Sequence, residues 1–334
     1  MNGRGEMLVD KVSLGVIGVG RIGRVHARNL KFMIPDVMEA AAHQVATELE
    51  VPVVEVDYHR LLERADLDGV VICSSTDTHA QIMEEAAAAG KHIFCEKPIA
   101  LEIDCIKQVL VKVQKAGVKL QVGFNRRFDP SFRKAQQLIA AGAIGTPQLV
   151  RITSRDLAPP PLDYVKVSGG MFLDMTIHDF DMARFLLGEE INELMAVGDC
   201  LIDPKIGEAG DIDTGIVTLK YESGAIGAID NSRQAVYGYD QRLEVLGSKG
   251  SVLVGNKTPT EVVVQSKEAI CGDVLVDFFM ARYQESYLTE MVEFVGSIIN
   301  DSEPAVGGID GLISVQMAYA ALQSLKTGQS VVIK

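Results

Sequence analysis

Two short segments carry residue types able to move a proton and to steady charge on an oxygen. The first is Cys95-Glu96-Lys97-Pro98, at the carboxyl end of an apolar run that reads as a strand. In open parallel sheets ligands sit at those strand ends, and a lysine there can donate hydrogen bonds to a substrate oxygen. Pro98 forces Lys97 into an extended or turned backbone, and an X-Pro bond in such a turn could be cis. Stripped of this context, Lys97 reads as a solvated surface lysine. The second segment is Asp174-Met175-Thr176-Ile177-His178. On a helix, positions i and i+4 share a face. Asp174 would then fix the tautomer of His178 and favour a base that accepts a hydroxyl proton. Thr176, Phe180, Ala183 and Leu187 fall on another stripe, which reads as core. The plainer alternative is a surface Asp–His pair, worth only a few tenths of a kcal/mol to the helix. Ser168-Gly169-Gly170 just before it reads as a loop feeding the site or as a plain turn.

Two further segments are candidates. Arg127, in Phe124-Asn125-Arg126-Arg127-Phe128-Asp129, leaves the last parallel strand. It could meet a polyol or a cofactor, or equally form an interdomain ion pair. Tyr237, in Tyr237-Gly238-Tyr239-Asp240, offers a hydroxyl suited to a hydroxyl-rich ligand. Such tyrosines are as often packing or interface residues.

A third motif binds rather than reacts. Gly18-Val19-Gly20-Arg21-Ile22-Gly23 is GxGxxG, placed after a β-branched apolar run and before a helical segment. That context is the one the motif requires. Gly18 permits the tight turn, Gly20 lets backbone approach a pyrophosphate, and Gly23 lets helix and strand pack closely. The helix start supplies free N–H groups to the phosphates. The alternative is a glycine-rich turn without a ligand. An acidic residue about 20 residues further on should end the second strand and grip the adenosine ribose. No clear second strand appears between Leu30 and Glu39. Asp36 is the best ribose candidate, though it reads equally as a loop residue after Pro35. NAD is the expected cofactor, and NADP is not excluded.

The elements that must position these residues follow two rhythms. From Val12 to Phe124, apolar strands (Gly69–Ser74, His92–Cys95, Leu120–Phe124) alternate with helical stretches (Arg21–Leu30, Gln81–Ala89, Asp104–Ala116). That alternation indicates parallel βαβ units. After Asn125 come helical Ser131–Ala141, a strand at Gln148–Ser154 and helical Asp174–Leu187. Between Leu194 and Val264, strand-like segments are separated by turns such as Ser248-Lys249-Gly250. Short turns between consecutive strands indicate an antiparallel sheet. The end returns to helix at Ser286–Asn300 and Gly311–Lys326. The expected division is a dinucleotide-binding Rossmann domain over 1–123 and a substrate-binding, oligomerising α/β domain over 124–334.

The bulk properties narrow the partners. A chain of 334 residues exceeds what one core usually serves. Its formal net charge of -13 repels phosphate backbones and anionic membranes, which argues against nucleic acid and lipid surfaces. The five cysteines include no CxxC pair and no Cys/His group with zinc-ligand spacing, so no metal is expected. Unpaired cysteines, and no apolar run of signal-peptide or spanning length, point to the cytoplasm.

GxGxxG at Gly18–Gly23, Glu96-Lys97-Pro98 and Asp174-x-x-x-His178, in this order and spacing, resemble the Gfo/Idh/MocA oxidoreductases along essentially the whole chain. VGFNRRFD (122–129), RITSRD (151–156), GGMFLDMTIHDFDMARFLLG (169–188) and VYGYDQRLEVLGSKG (236–250) are most similar to its bacterial inositol 2-dehydrogenase branch. The resemblance implies a doubly wound Rossmann domain plus an α/β domain with a large, mostly antiparallel open sheet. Such a sheet commonly mediates homo-oligomers, here expected as a dimer of dimers. Carried over by position, Lys97 would polarise the reacting oxygen, His178 would be the general base, and Asp174 would orient it and contact the substrate. Arg127, Asp156 and Tyr237 would line a polyol pocket. Ser74, Thr76 and His79, together with Gly18, Gly20, Arg21, Ile22 and Gly23, would lie near the cofactor, and Glu96 near its nicotinamide ribose. The implied reaction is NAD-dependent oxidation of a ring hydroxyl of a cyclic polyol, with myo-inositol to 2-keto-myo-inositol favoured. The rivals are a related sugar or keto-inositol oxidoreductase, and a non-catalytic NAD(P)-binding regulator.

Overall fold

A computed structural model describes residues 12–30, 34–35, 48 and 54–333. Asp36, the candidate ribose carboxylate, lies outside the described residues. The chain divides into two compact units, one of residues 1–123 and 287–308, the other of 124–286 and 309–334. A single cut at Gly123 therefore misplaces one segment: Tyr287–Gly308 returns to the first unit.

The first unit holds a parallel sheet. Strands β1 (Leu14–Ile17), β4 (Gly69–Ile72), β5 (His92–Cys95) and β6 (Leu120–Val122) are hydrogen-bonded in that order. All four residues of β1 and of β4 are buried. That is why their sequences run apolar instead of alternating. Helices Arg21–Leu30, Thr76–Ala88 and Ile103–Ala116 connect or flank them. The second of these starts at Thr76, five residues before the alanine-rich stretch that marks it in the sequence. The region between Leu30 and Glu39 does contain a strand. The two-residue β2 (Ile34–Pro35) pairs in parallel with β3 (Val54–Glu55) and lies alongside β1. The strands thus follow the order β3-β2-β1-β4-β5-β6 that the doubly wound fold prescribes. At two residues, β2 is too short for any periodic signal.

One core cluster of this unit joins Leu14, Val16, Val19, Ala27, Val71 and Phe94 to Met291 and Phe294. Met291 and Phe294 come from helix Gln284–Ile299, late in the sequence. Each such fully buried side chain contributes about 1.5–3 kcal/mol.

The second unit is built on a seven-stranded sheet. Its strands are β7 (Pro147–Arg155), β8 (Ile191–Asp199), β9 (Thr214–Tyr221), β10 (Ile226–Ser232), β11 (Asp240–Gly247), β12 (Gly250–Val254) and β15 (Val331–Val332). The order is β12-β11-β7-β10-β9-β8-β15. Only β7 and β10 pair in parallel. The strand expected near Val262 leaves this sheet: β13 (Val263–Gln265) pairs with β14 (Ile270–Gly272) in a separate exposed hairpin. Burial alternates strictly along β9. Its inward residues Val217 and Leu219 join Val150, Ile152, Ile229 and Val245 in the core, while the outward face stays open.

Candidate active site

The glycine loop follows β1 and opens helix Arg21–Leu30. Gly18 has φ +90°, and a Cβ there would stand 2.7 Å from the Ser74 backbone nitrogen. A Cβ on Gly23 would stand 1.9 Å from the Gly18 carbonyl oxygen. Helix and loop are therefore in backbone contact, which only glycine permits. A Cβ on Gly20, by contrast, would meet nothing within 4 Å. An open backbone at the start of a ten-residue helix is the arrangement that receives a pyrophosphate, so these residues fit a dinucleotide.

Ser74 and Thr76 lie at the carboxyl end of β4 and at the following helix start, both half-buried. The Ser74 hydroxyl pairs with the Thr78 hydroxyl at 2.7 Å. His79 is buried and turned inward. Its Nδ1 lies 2.8 Å from the Pro98 carbonyl and its Nε2 3.1 Å from the Ser74 carbonyl. Burial holds the His79 imidazole below its ordinary pKa, so one nitrogen donates and the neutral ring fastens the end of β4 to the Lys97-Pro98 turn. The Lys97–Pro98 bond is cis.

Glu96 also turns inward. Its Oε1 lies 2.9 Å from His26 Nε2, and its Oε2 accepts from the Lys97 backbone N–H at 3.3 Å. The partner is a histidine of the first helix, which no local pattern around Glu96 announces.

In the second unit the segment carrying Asp174 is not a plain α-helix. Phe172–Thr176 forms a π-helical turn before α-helix Ile177–Leu187. Such insertions cluster at functional sites and change which side chains face one another. Asp174 and His178 are both half-buried. Asp174 accepts from the Tyr164 hydroxyl at 2.8 Å and from Arg233 Nη1 at 3.4 Å. Arg233, buried, also reaches Asp211 at 3.4 Å. The His178 ring meets the edge of Phe124, with centroids 6.0 Å apart and planes at 88°. Neither Tyr164 nor Arg233 was legible as a site residue, because each lies outside every recognisable motif.

Asp156 is half-buried just beyond β7. Burial pushes its carboxyl up to about 6, with Arg233 and Arg126 opposing and Asp174 and Asp179 adding to the rise. Such a perturbed acid among charged neighbours marks a functional candidate. Below it lies a buried polar layer. The Asp179 carboxylate accepts from Arg126 at 2.5 Å, from Ser154 at 2.6 Å and from Asn231 at 2.8 Å.

Arg127 departs from the expectation. Its Nε and Nη2 donate to Asp181 at 2.9 and 2.6 Å, and Nη2 reaches Asp310 at 2.8 Å. Its guanidinium also stacks over Phe185. Arg127 is a buried ion-pair residue inside the second unit instead of a pocket wall. The Tyr237 side chain is half exposed. Its hydroxyl donates to Asp240 at 2.7 Å and accepts from Arg155 at 2.8 Å.

Residues 12–124 match the model of the oxidoreductase family with an NAD-binding Rossmann fold, and 132–253 match the GFO/IDH/MocA C-terminal domain. The chain is 48% identical to a myo-inositol 2-dehydrogenase of Thermotoga maritima, over 95% of this chain and 97% of that one. It is 46% identical to an inositol 2-dehydrogenase of Rhizobium meliloti, over 94% and 97%. Among solved structures, a probable dehydrogenase from Thermotoga maritima superposes with a TM-score of 0.95 at 47% identity, covering 96% of this chain and 99% of that one. A scyllo-inositol dehydrogenase from Lactobacillus casei, with NAD(H) and scyllo-inositol bound, superposes at 0.90 with 32% identity, covering 97% and 99%.

Proposed function

We propose that this chain, which belongs to the Gfo/Idh/MocA oxidoreductases, oxidises a ring hydroxyl of inositol with NAD, myo-inositol at C2 being the favoured substrate. The observation that carries the reading is the π-turn that sets Asp174 between Tyr164 and Arg233, one turn ahead of His178. Its relatives' names supply the substrate class.

Nicotinamide, when bound, supplies the hydride chemistry. The rest falls to side chains. His178 accepts the hydroxyl proton as general base. Asp174, itself held by Tyr164 and Arg233, orients His178 and the substrate. Lys97 donates a hydrogen bond to the oxygen as charge develops on it. Asp156 offers an acceptor for the remaining ring hydroxyls, and the Tyr237 hydroxyl, whose proton is held by Asp240, a further one. The backbone from Gly18 to Gly23 receives the pyrophosphate, and Ser74 and Thr76 border the same strand ends.

A homo-oligomer is part of the reading. Val197 and Ile216 face each other across β8 and β9, and Ile226 and Leu253 continue the same outward face of the sheet. An apolar sheet face of this kind suits a second copy of the chain, in keeping with a dimer of dimers. A cytoplasmic location agrees with five unpaired cysteines. Among the described residues no helix is long and apolar enough to cross a membrane.

The test is NADH formation by purified protein offered NAD or NADP with myo-inositol, scyllo-inositol, other epimers and glucose. Fast reduction of NAD with one inositol supports the reading. Silence across the panel, with NAD still bound, turns it toward a regulatory NAD-binding protein. Lys97→Met and His178→Ala should each lower turnover by about 10²–10⁴-fold. Wild-type turnover in either folded variant refutes the assigned roles.

A further inference from the structure

Behind the Glu96-Lys97-Pro98 turn lies a sealed group of three titratable side chains. His26 comes from the first helix, Glu96 from the end of β5 and Glu290 from helix Gln284–Ile299, all within the first unit. One ligand-type atom of each lies within 4.8 Å of the others. The side chains of His26 and Glu290 are 0% exposed. Phe94 and Tyr287 present their rings to His26 at 5.0 and 5.8 Å. Half-buried Cys73 is also close enough to feel both glutamates.

The hydrogen bonds within the group are unequal. Glu96 receives the His26 ring nitrogen at 2.9 Å and the Lys97 backbone N–H at 3.3 Å. Glu290 Oε1 lies 3.8 Å from His26 Nε2, and neither of its oxygens has a hydrogen-bond partner. Two carboxylates in one apolar pocket cannot both ionise cheaply. Burial and the neighbouring Glu96 push the Glu290 carboxyl well above the usual range. The member without donors is therefore the one that keeps a proton. Glu96 is also pressed from below: a Cβ on Gly123 would stand 2.9 Å from its Oε2.

We propose that Glu290 is a positioning residue for Lys97, acting as a neutral acid that backs His26 and Glu96 so that the Glu96 carboxylate grips the Lys97 backbone. The inference rests on the dehydrogenase reading for what Lys97 does, and on the geometry alone for the state of Glu290. A divalent cation held by the same three side chains is the rival. Against it, His26 Nδ1 is buried with no partner, whereas a metal-bound imidazole ordinarily donates through its other nitrogen.

The experiment uses the full chain with Glu290→Gln and Glu290→Leu. Glutamine keeps the shape and neutrality, so kcat should stay within about twofold of wild type. Leucine withdraws the polar support, and kcat should fall about tenfold or more with little change in KM for NAD, as expected when a reacting group is slightly displaced. Infrared spectroscopy near neutral pH provides a readout that needs no activity. Wild type should show the carbonyl band of a protonated, buried carboxylic acid, and Glu290→Gln should lack it. If that band is present while no polyol is oxidised, the dehydrogenase reading fails and the neutral Glu290 stands. Any of these results overturns the proposal: no such band in wild type, a Gln variant as slow as the Leu variant, or stoichiometric metal in the wild type that Glu290→Gln removes. A folded Leu variant with wild-type kcat also overturns it.

Discussion

The Nδ1 atom of His79 sits 2.8 Å from the carbonyl oxygen of Pro98. This contact pins the turn that carries Lys97 to the helix following β4, which gives His79 a part in where the lysine stands. His79→Ala should lower kcat about tenfold or more while leaving NAD affinity near wild type. A larger effect on KM for NAD than on kcat would return His79 to the cofactor site. Burial lowers the His79 pKa from its ordinary value near 6.5. The folded state therefore binds this proton less readily than the unfolded chain. Stability is fully present above that value and is lost as pH falls below it. Thermal melting across mildly acidic pH should show a shallower decline in a His79→Gln variant.

Asp156 behaves in the opposite sense. Its carboxyl is raised from the usual carboxylate range to about 6. The acid form stabilises the fold at low pH, and that contribution is lost as pH rises through about 6. Asp156→Asn should remove this slope from melting curves between the usual carboxylate pKa and neutrality. It should also raise KM for the polyol about tenfold, the cost of a charged hydrogen bond. In wild type KM should climb on acidification below about 6, and in the variant it should not. An unchanged KM in the folded variant removes Asp156 from the polyol site.

Gly23→Ala places a methyl where the Gly18 carbonyl oxygen already stands, 1.9 Å from the new carbon. The loop must move away from the helix start. NAD binding, read by fluorescence or calorimetry, should be lost or severely weakened. Gly20→Ala, with nothing within 4 Å of its new Cβ, should fold normally and weaken only the cofactor. Equal melting temperatures for the two variants would contradict this division of labour.

Arg127→Ala should act on stability. It would leave the Asp181 carboxyl, whose side chain is 1% exposed, without its main counter-charge. Breaking one side of a buried pair costs about 3–5 kcal/mol. Burial already raises the Asp181 pKa against the pull of Arg127, so the loss should grow as pH rises and ease at low pH. Any folded fraction should keep the wild-type KM for the polyol. A selective rise in that KM, without destabilisation, would place Arg127 at the substrate after all.

The parts of the fold legible in the sequence are those written locally. β4 is an unbroken apolar run, β5 is one after His92, and the glycine loop announces its own geometry. Lys97 and His178 stand out because proline and a helical spacing frame them. What stayed hidden depends on residues distant in sequence. The π-turn beneath Asp174 has no periodic signature, and its supports Tyr164 and Arg233 arrive from separate segments. The family resemblance implied a place for Glu96 near the nicotinamide ribose, and nothing local announced its neighbours His26, from the first helix, and Glu290, from helix Gln284–Ile299. Arg127 and Arg126 are adjacent and alike in type, yet each is fixed by its own aspartate, Asp181 and Asp179. Only the folded chain distinguishes them.

The late return of Tyr287–Gly308 to the first unit has a consequence for synthesis. Domains ordinarily form in order as the chain emerges from the ribosome. Here Val16 and Phe94 are made early, while Met291 and Phe294, which share their core, follow only after residues 124–286 of the second unit. The nascent dinucleotide-binding region must wait, its apolar sheet incompletely covered, until residues 124–286 of the second unit have been made. Completion of the first core is thus delayed past most of the second unit, and truncation before Tyr287 should harm the amino-terminal fold although it removes none of its strands.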